Sequence, residues 1–506
     1  MKGVSPPLPE EPDLDDRRPN RRWRIAALAA VWTVLGTLGA MLVFEWHEQD
    51  LWQSSKRQSI ESGRLPAWES LIPPPVDDAE NFAMLPQLEP LRTYLSLPRA
   101  RRDDHWKAPA LFGGIHSFGE AASETLRINQ ADGQRLDLNG LYKTLVARGC
   151  VNAGPDPAAA ILRALEPHQA MLDEIATAAA RRASRLPFHY ENGLDQGTIA
   201  YNSFKNLGYT LAARSCARRS AGLFYESASD IISLLRVARA LQRDPILACV
   251  LTGQVYQRLA ANLIWDGMVD HQWTAQCLRD LRIELDQAEP LFSFNRAYTM
   301  EALAWIRITE SYLRGDKPTW GALSEADPAT VMASQNMWIR WSGHYLLRRA
   351  LPVLCDRTAD FHSIVRLKDS VFELMRYEEW REDIDRSRIP SSFVGMGQYE
   401  AKQVDRLVFR TLHDTILLRF ALLACQLDEE YLKSGRYPGL LDARDRNSID
   451  TMSGGQLDYV VAPNGSAYQI SSRGWKRVED SYADDTAAPE WIHDWRWTIP
   501  QRLPVD

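Results

Sequence analysis

The chain has 506 residues, 45% of them hydrophobic and 25% charged, which are the proportions of a folded protein and exclude a disordered or collagen-like one. A formal charge of −7, with no dense basic cluster beyond residues 17–24, argues against a nucleic-acid partner. At this length several hydrophobic cores are expected, shared among two to four domains.

Residues 1–16 combine Pro6, Pro7 and Pro9 with Glu10, Glu11, Asp13, Asp15 and Asp16. So little apolar surface cannot offset the entropy of ordering, and a disordered tail is expected over 1–24. Arg17, Arg18, Arg21, Arg22 and Arg24 then precede twenty uncharged residues, Ile25 to Phe44. As a helix that run would rise about 30 Å, the thickness of a bilayer's hydrocarbon core. Trp23 and Trp46 flank it as aromatic residues flank membrane spans, and arginines resist translocation. The expectation is a transmembrane helix over 25–45 in the cytoplasmic (inner) membrane. It would make the protein single-pass, with a cytoplasmic N-terminus, a periplasmic bulk and the lipid bilayer as its first partner. A cleaved signal peptide is the rival. It needs an apolar core of about 7–15 residues and a small-x-small site, whereas Leu38-Gly39-Ala40 begins with a bulky residue. Gly36 and Ala40 have the spacing that lets two helices approach, but the pattern is common by chance and leaves the oligomeric state open.

Residues 46–135 are expected to hold a helix continuing toward 62, an extended spacer at Pro73-Pro74-Pro75, and a largely irregular stretch over 93–135. A helical domain follows over 136–395. Asp156-Pro157 is a helix start, with proline at the first helical position, and the helix behind it meets an interruption at Pro167. Phe204, Leu207, Leu211 and Ser229 through Leu241 suggest a helical hairpin around Gly222. Asp244-Pro245 repeats the start signal before Ile246, Val250, Leu251, Val255, Leu259 and Leu263. Further helices are expected near 274–288, 293–314, 328–356 and 364–384. No copy of the Phe204, Leu207, Gly208 and Phe224 spacing recurs 34 residues on, so irregular helical pairs are expected in place of a regular solenoid.

The last unit, 396–506, opens on a helix whose stripe runs Val404, Val408, Leu412, Ile416, Phe420, Leu423, Leu427 and Tyr431, and stops at Ser434-Gly435. Leu457 to Ala462 and Ala467 to Ser472 are β-prone runs joined by Pro463-Asn464-Gly465-Ser466, a hairpin signal; Trp491, Trp495 and Trp497 alternate like a strand face. The fold class expected is mainly α, with an N-terminal transmembrane helix, irregular helical hairpins and a small C-terminal β-hairpin module.

Candidate chemistry is sparse. Cys150, Cys216, Cys249, Cys277, Cys355 and Cys425 include no C-x-x-C pair, and all but Cys150 fit helical apolar patterns, as small buried hydrophobes do. Ten histidines form no H-E-x-x-H or other ligand spacing; His189-Tyr190-Glu191 and His413-Asp414 place polar groups side by side, where helical neighbours diverge by about 100°. Gly113-Gly114-Ile115-His116-Ser117-Phe118-Gly119 misses the nucleophile-elbow order by one residue and lacks a βαβ context, so a loop is expected. Glu378, Glu379, Glu382, Asp383 and Asp385, among Arg381, Arg386 and Arg388, have the pattern of a solvated helical face. Asp480, Asp484 and Asp485 could supply hard oxygens to calcium, the sole metal considered.

Two resemblances accompany these residues. Gly435-Arg436-Tyr437-Pro438, Leu440-Leu441, Ser453-Gly454, Tyr459 and Tyr468 to Gly474 resemble the C-terminal module of major pseudopilins of type II secretion systems. That resemblance implies a long helix feeding a small sheet and a calcium-binding aspartate loop. The stretches Pro73 to Ala83 and Arg182 to Glu191 are similar to segments of a group of bacterial single-pass membrane-anchored proteins, a group that brings no activity with it. The function expected is a non-enzymatic interaction or scaffold protein, membrane-anchored and extracytoplasmic, with a protein partner. The alternatives are a component of secretion or pilus assembly and an envelope hydrolase whose site the sequence does not display.

Overall fold

The computed structural model describes residues 21–62, 65–96, 111–126, 134–188, 190, 201–313, 391–442, 445–476 and 496–499. Helix α1 (Arg21–Glu61) spans 41 residues and contains the apolar run, where Leu28, Trp32 and Leu35 are exposed. Among the described residues, no helix is long and apolar enough to cross a membrane. The second half of the helix is polar, with Asp50, Gln53, Ser54, Lys56 and Arg57. The expectation of a transmembrane, single-pass protein of the inner membrane with a periplasmic bulk is corrected accordingly.

After α2 (Trp68–Leu71) the chain makes three 3-10 turns before α3 (Glu89–Ser96). Asp77 and Asn81 cap the first two turns, accepting from Ala79 N and Ala83 N. Asn81 does more. It is buried, its Oδ1 also accepts from Arg185 N at 2.9 Å, and its Nδ2 donates to Arg185 O at 3.1 Å. A parallel bridge pairs it with Ala183, and Arg181 Nη1 donates to its carbonyl at 2.8 Å. The two stretches singled out for their resemblance, 73–83 and 182–191, therefore meet through the Asn81 side chain and through backbone bonds from Phe82 N to Ala183 O and from Ala183 N to Glu80 O.

Helix α4 (Ile115–Thr125) replaces the loop expected over part of 93–135. Ile115, Phe118, Ala121 and Ala122 give it a buried face that the glycine-rich start obscured in the sequence. Helix α5 (Leu138–Ala147) is capped by Asp137. Helix α6 (Pro157–Leu165) starts as expected: Asp156 accepts from Ala159 N at 3.1 Å, with proline in the first turn. A 3-10 turn at Glu166–His168 carries Pro167 into α7 (Gln169–Ala179).

Helices α8 (Tyr201–Ser220) and α9 (Phe224–Gln242) form the hairpin around Gly222, whose φ of 77° suits glycine at a helix C-terminus. Helix α8 packs against α4, α6, α9 and α10 (Leu247–Val269) and is buried on nearly every side. Helices α11 (Ala275–Leu285), α12 (Pro290–Leu313) and α13 (Ser391–Ser434) complete the helical layer, with α13 against α10, α11 and α12. Residues 314–390, with the helices expected at 328–356 and 364–384 and the carboxylates from Glu378 to Asp385, lie outside the described residues.

The C-terminal unit is an antiparallel sheet in the order β1 (Asp458–Val461), β2 (Tyr468–Ser471), β3 (Arg496–Ile499). Gly465, at φ 69°, supports the turn expected at 463–466. Tyr459 pairs with Ile470 and Ile470 with Trp497, and the last two are fully buried. Trp497 is buried on β3, whereas Trp491 and Trp495 lie outside the described residues. The fold is mainly helical with one small three-stranded antiparallel sheet.

Helix α4 crosses α8 where a side chain at Gly119 would run into the Asn206 carbonyl. Gly119→Ala should therefore cost about 1–3 kcal/mol by overpacking. Urea denaturation monitored by far-UV circular dichroism is expected to show the lowered midpoint. Gly154→Ala, where an added methyl meets nothing within 4 Å, should leave it unchanged.

Candidate functional site

Helices α9 and α11 lie side by side with a shallow groove of about 340 Å³ between them. Tyr225, Ser229 and Arg236 line it from α9, and Asp280, Ile283 and Glu284 from α11. Their spacings, near 225, 229 and 236 on one helix and 280, 283 and 284 on the other, are those of single helical faces. Tyr225 (64% exposed) and Ile283 (56%) leave large apolar surfaces in water at the two rims. Glu284, buried at the floor, is held by two cations: Arg236 Nε donates to Oε1 at 2.7 Å and Arg239 Nη2 to Oε2 at 2.9 Å. A carboxylate so engaged is no general base. The groove offers apolar rims over a floor whose acid is paired with two cations.

Deeper in the fold, several buried carboxylates are engaged by specific partners. Asp266 accepts from Arg219 of α8 and from Arg135, which also reaches Asp270 Oδ2 at 2.6 Å. Asp230 takes Arg214 Nη2 at 2.6 Å and Arg218 Nη1 at 2.9 Å on the same oxygen; burial still holds its carboxyl above the usual range. Burial pushes Asp414 upward, but Arg258, His413 and Arg410 outweigh it and hold the carboxyl below its usual value. Asp450 ties the C-terminal unit together. Its oxygens accept from Met452 N, Ser453 Oγ, Ser472 Oγ and Gly474 N at 2.7–3.0 Å.

Two further aspartates have a phenol for a partner. Asp244 is the residue expected to start α10. The helix instead begins at Leu247, behind Ile246, with no side-chain cap. Asp244 turns inward, because Leu186 N donates to its Oδ2 at 3.0 Å and the Tyr190 hydroxyl to its Oδ1. Tertiary partners have outcompeted the local capping role. In α13, Asp428 Oδ1 accepts from the Tyr437 hydroxyl at 2.6 Å, within a cluster of Tyr431, Tyr437, Tyr459 and Tyr468. Burial raises each carboxyl from 3.8 to about 7, only partly opposed by the hydrogen bonds.

Of the residues singled out in the sequence, His413 is buried beside Asp414, Nδ1 to Oδ1 3.4 Å, with its ring 5.6 Å from Trp475. Tyr190 belongs to the Asp244 pair, whereas His189 and Glu191 lie outside the described residues. His116 sits 3.1 Å from Asn206 Nδ2, and the residues from Ile115 onward form helix α4. Asp480, Asp484 and Asp485, the calcium candidates, lie outside the described residues. Among those described, no group of three His, Cys, Asp or Glu side chains is placed to hold a metal ion. Cys150, Cys216, Cys249, Cys277 and Cys425 are free thiols, all but Cys150 buried. Nothing in the sequence announced the groove, since its faces lie about 50 residues apart. Comparison of the chain with protein-family models, curated proteins and solved structures returned no match.

Asp244 and Asp428 bind their protons more tightly folded, at about 7, than unfolded, near 3.8. The folded chain therefore holds extra protons between about pH 4 and 7. The stabilisation is complete below 3.8 and is lost as pH rises through 7. Thermal melts should place the unfolding temperature several degrees higher at pH 5 than at pH 8. Asp244→Asn with Asp428→Asn should flatten most of that slope.

Proposed function

We propose that this chain is a protein-interaction scaffold: irregular helical pairs present the α9–α11 groove to an extended or helical segment of a partner. The reading rests on that groove, which combines exposed Tyr225 and Ile283 with a floor whose acid is already spent on Arg236 and Arg239. Aromatic side chains standing in water beside a concavity are the usual anchors of protein interfaces. The engagement of the buried carboxylates by Arg, Tyr or backbone donors supports a role without catalysis. A second reading, a component of a secretion or pilus-like assembly, draws on α13 feeding the small β1–β2–β3 sheet, the arrangement that the resemblance to pseudopilins implies.

A photo-crosslinking amino acid at position 225 should capture one dominant partner from lysates of the native host, identified by mass spectrometry. Ile283→Asp should reduce that capture about tenfold or more without lowering the melting temperature, because the residue is over half exposed. Capture that is diffuse, or indifferent to Ile283→Asp, would remove the groove as the binding surface.

A further inference from the structure

Helix α13 places Arg410 four residues before Asp414, the spacing at which opposite charges pair along one helix face. That pairing does not form. Asp414 is fully buried and both its oxygens go to Arg258 of α10, Nε to Oδ1 and Nη2 to Oδ2 at 2.9 Å each. Arg410 is left beside the pair. Burial lowers its affinity for its proton and the Arg258 charge lowers it further, while Asp414, Tyr201 and Tyr209 act the other way. Among the described residues, the Arg410 Nε is buried and has no hydrogen-bond partner. One helical turn away in the same interface, Gln254 Nε2 donates to Thr411 Oγ1 at 2.9 Å, and the buried Gln254 Oε1 has no donor. On α8, Lys205 Nζ lies 5.8 Å from the centre of the Tyr209 ring.

Among the described residues, the inventory of this junction is unbalanced. Arg258 and Arg410 bring two positive charges and Asp414 one negative, with Lys205 adding a further cation nearby and His413 against Asp414 on its other side. A buried guanidinium donor without an acceptor is costly, and a planar, charged acceptor relieves that cost best. We propose that Arg410, with Arg258 behind it and Tyr201 and Tyr209 across from it on α8, forms a binding site for a small oxyanion, a phosphate or a carboxylate. Arg410 supplies the charge-assisted hydrogen bonds. Its side chain is partly buried, and the guanidinium fork matches two oxygens of either anion. The site is separate from the α9–α11 groove.

Isothermal titration of the full chain with sodium phosphate, at constant ionic strength, tests this. Saturable one-site binding is expected, at least about tenfold weaker in Arg410→Met, the cost of one charge-assisted contact, and unchanged in Arg279→Ala on α11. A parallel titration with sodium acetate identifies the natural chemistry: tighter phosphate binding assigns a phosphate, tighter acetate binding a carboxylate. Should Arg410→Met fail to fold, the unaltered protein serves. Phosphate should then slow modification of Arg410 by phenylglyoxal, read by mass spectrometry, and leave Arg279 unprotected. No saturable heat with either anion, equal binding by Arg410→Met, or an Arg410 that phosphate does not shield would each overturn the proposal.

Discussion

Helix α8 is surrounded on nearly every side, and it carries Arg214 and Arg219 into that setting. Both are almost fully buried. A cation can leave water only with a carboxylate for company, so Arg214 fixes Asp230 of α9 and Arg219 fixes Asp266 of α10. The three helices are thereby held in one register, and the remaining layers are set against them. On one flank Gly119 of α4 rides on the α8 backbone at Asn206; on another the Tyr256 hydroxyl of α10 donates to Phe204 O at 2.6 Å. The groove inherits its shape from this arrangement, since α9 shows α8 its charged face and keeps Tyr225, Ser229 and Arg236 for the other.

What the sequence disclosed, and what it hid, divides along local and distant physics. Asp156-Pro157, Gly222 and Pro463-Asn464-Gly465-Ser466 act within four or five residues, and each produces the element its chemistry dictates. Asp244-Pro245 is the same dipeptide as Asp156-Pro157 and behaves differently, because Leu186 and Tyr190, more than 50 residues upstream, claim its carboxylate. The apolar run of α1 read as a span from composition alone, yet among the described residues no helix has the length and apolarity to cross a bilayer. The candidate site was the least legible part. Neither Tyr225 nor Ile283 is unusual in its own helix, and a groove exists only once α9 and α11 lie together.

Ionisable groups are used throughout as fasteners between segments remote in sequence. Arg135 joins a loop to the end of α10, and Arg258 joins α10 to α13 across 156 residues. Such contacts are directional where apolar packing is not, so they select one mutual arrangement of helices that share generic apolar faces. Among the described residues, Arg410 is a cation whose helical neighbour Asp414 pairs elsewhere, with Arg258.

The C-terminal sheet meets α10 where the Trp265 indole donates to Thr498 O at 2.8 Å across 233 positions. A ribosome makes the indole long before it makes the acceptor. Until β3 emerges, β2 lacks a neighbour on one edge, Ile470 lacks the cover of Trp497, and a buried indole donor waits unsatisfied. The helical body can be complete while this corner stays unfinished, which makes the nascent chain dependent on its last strand to seal it.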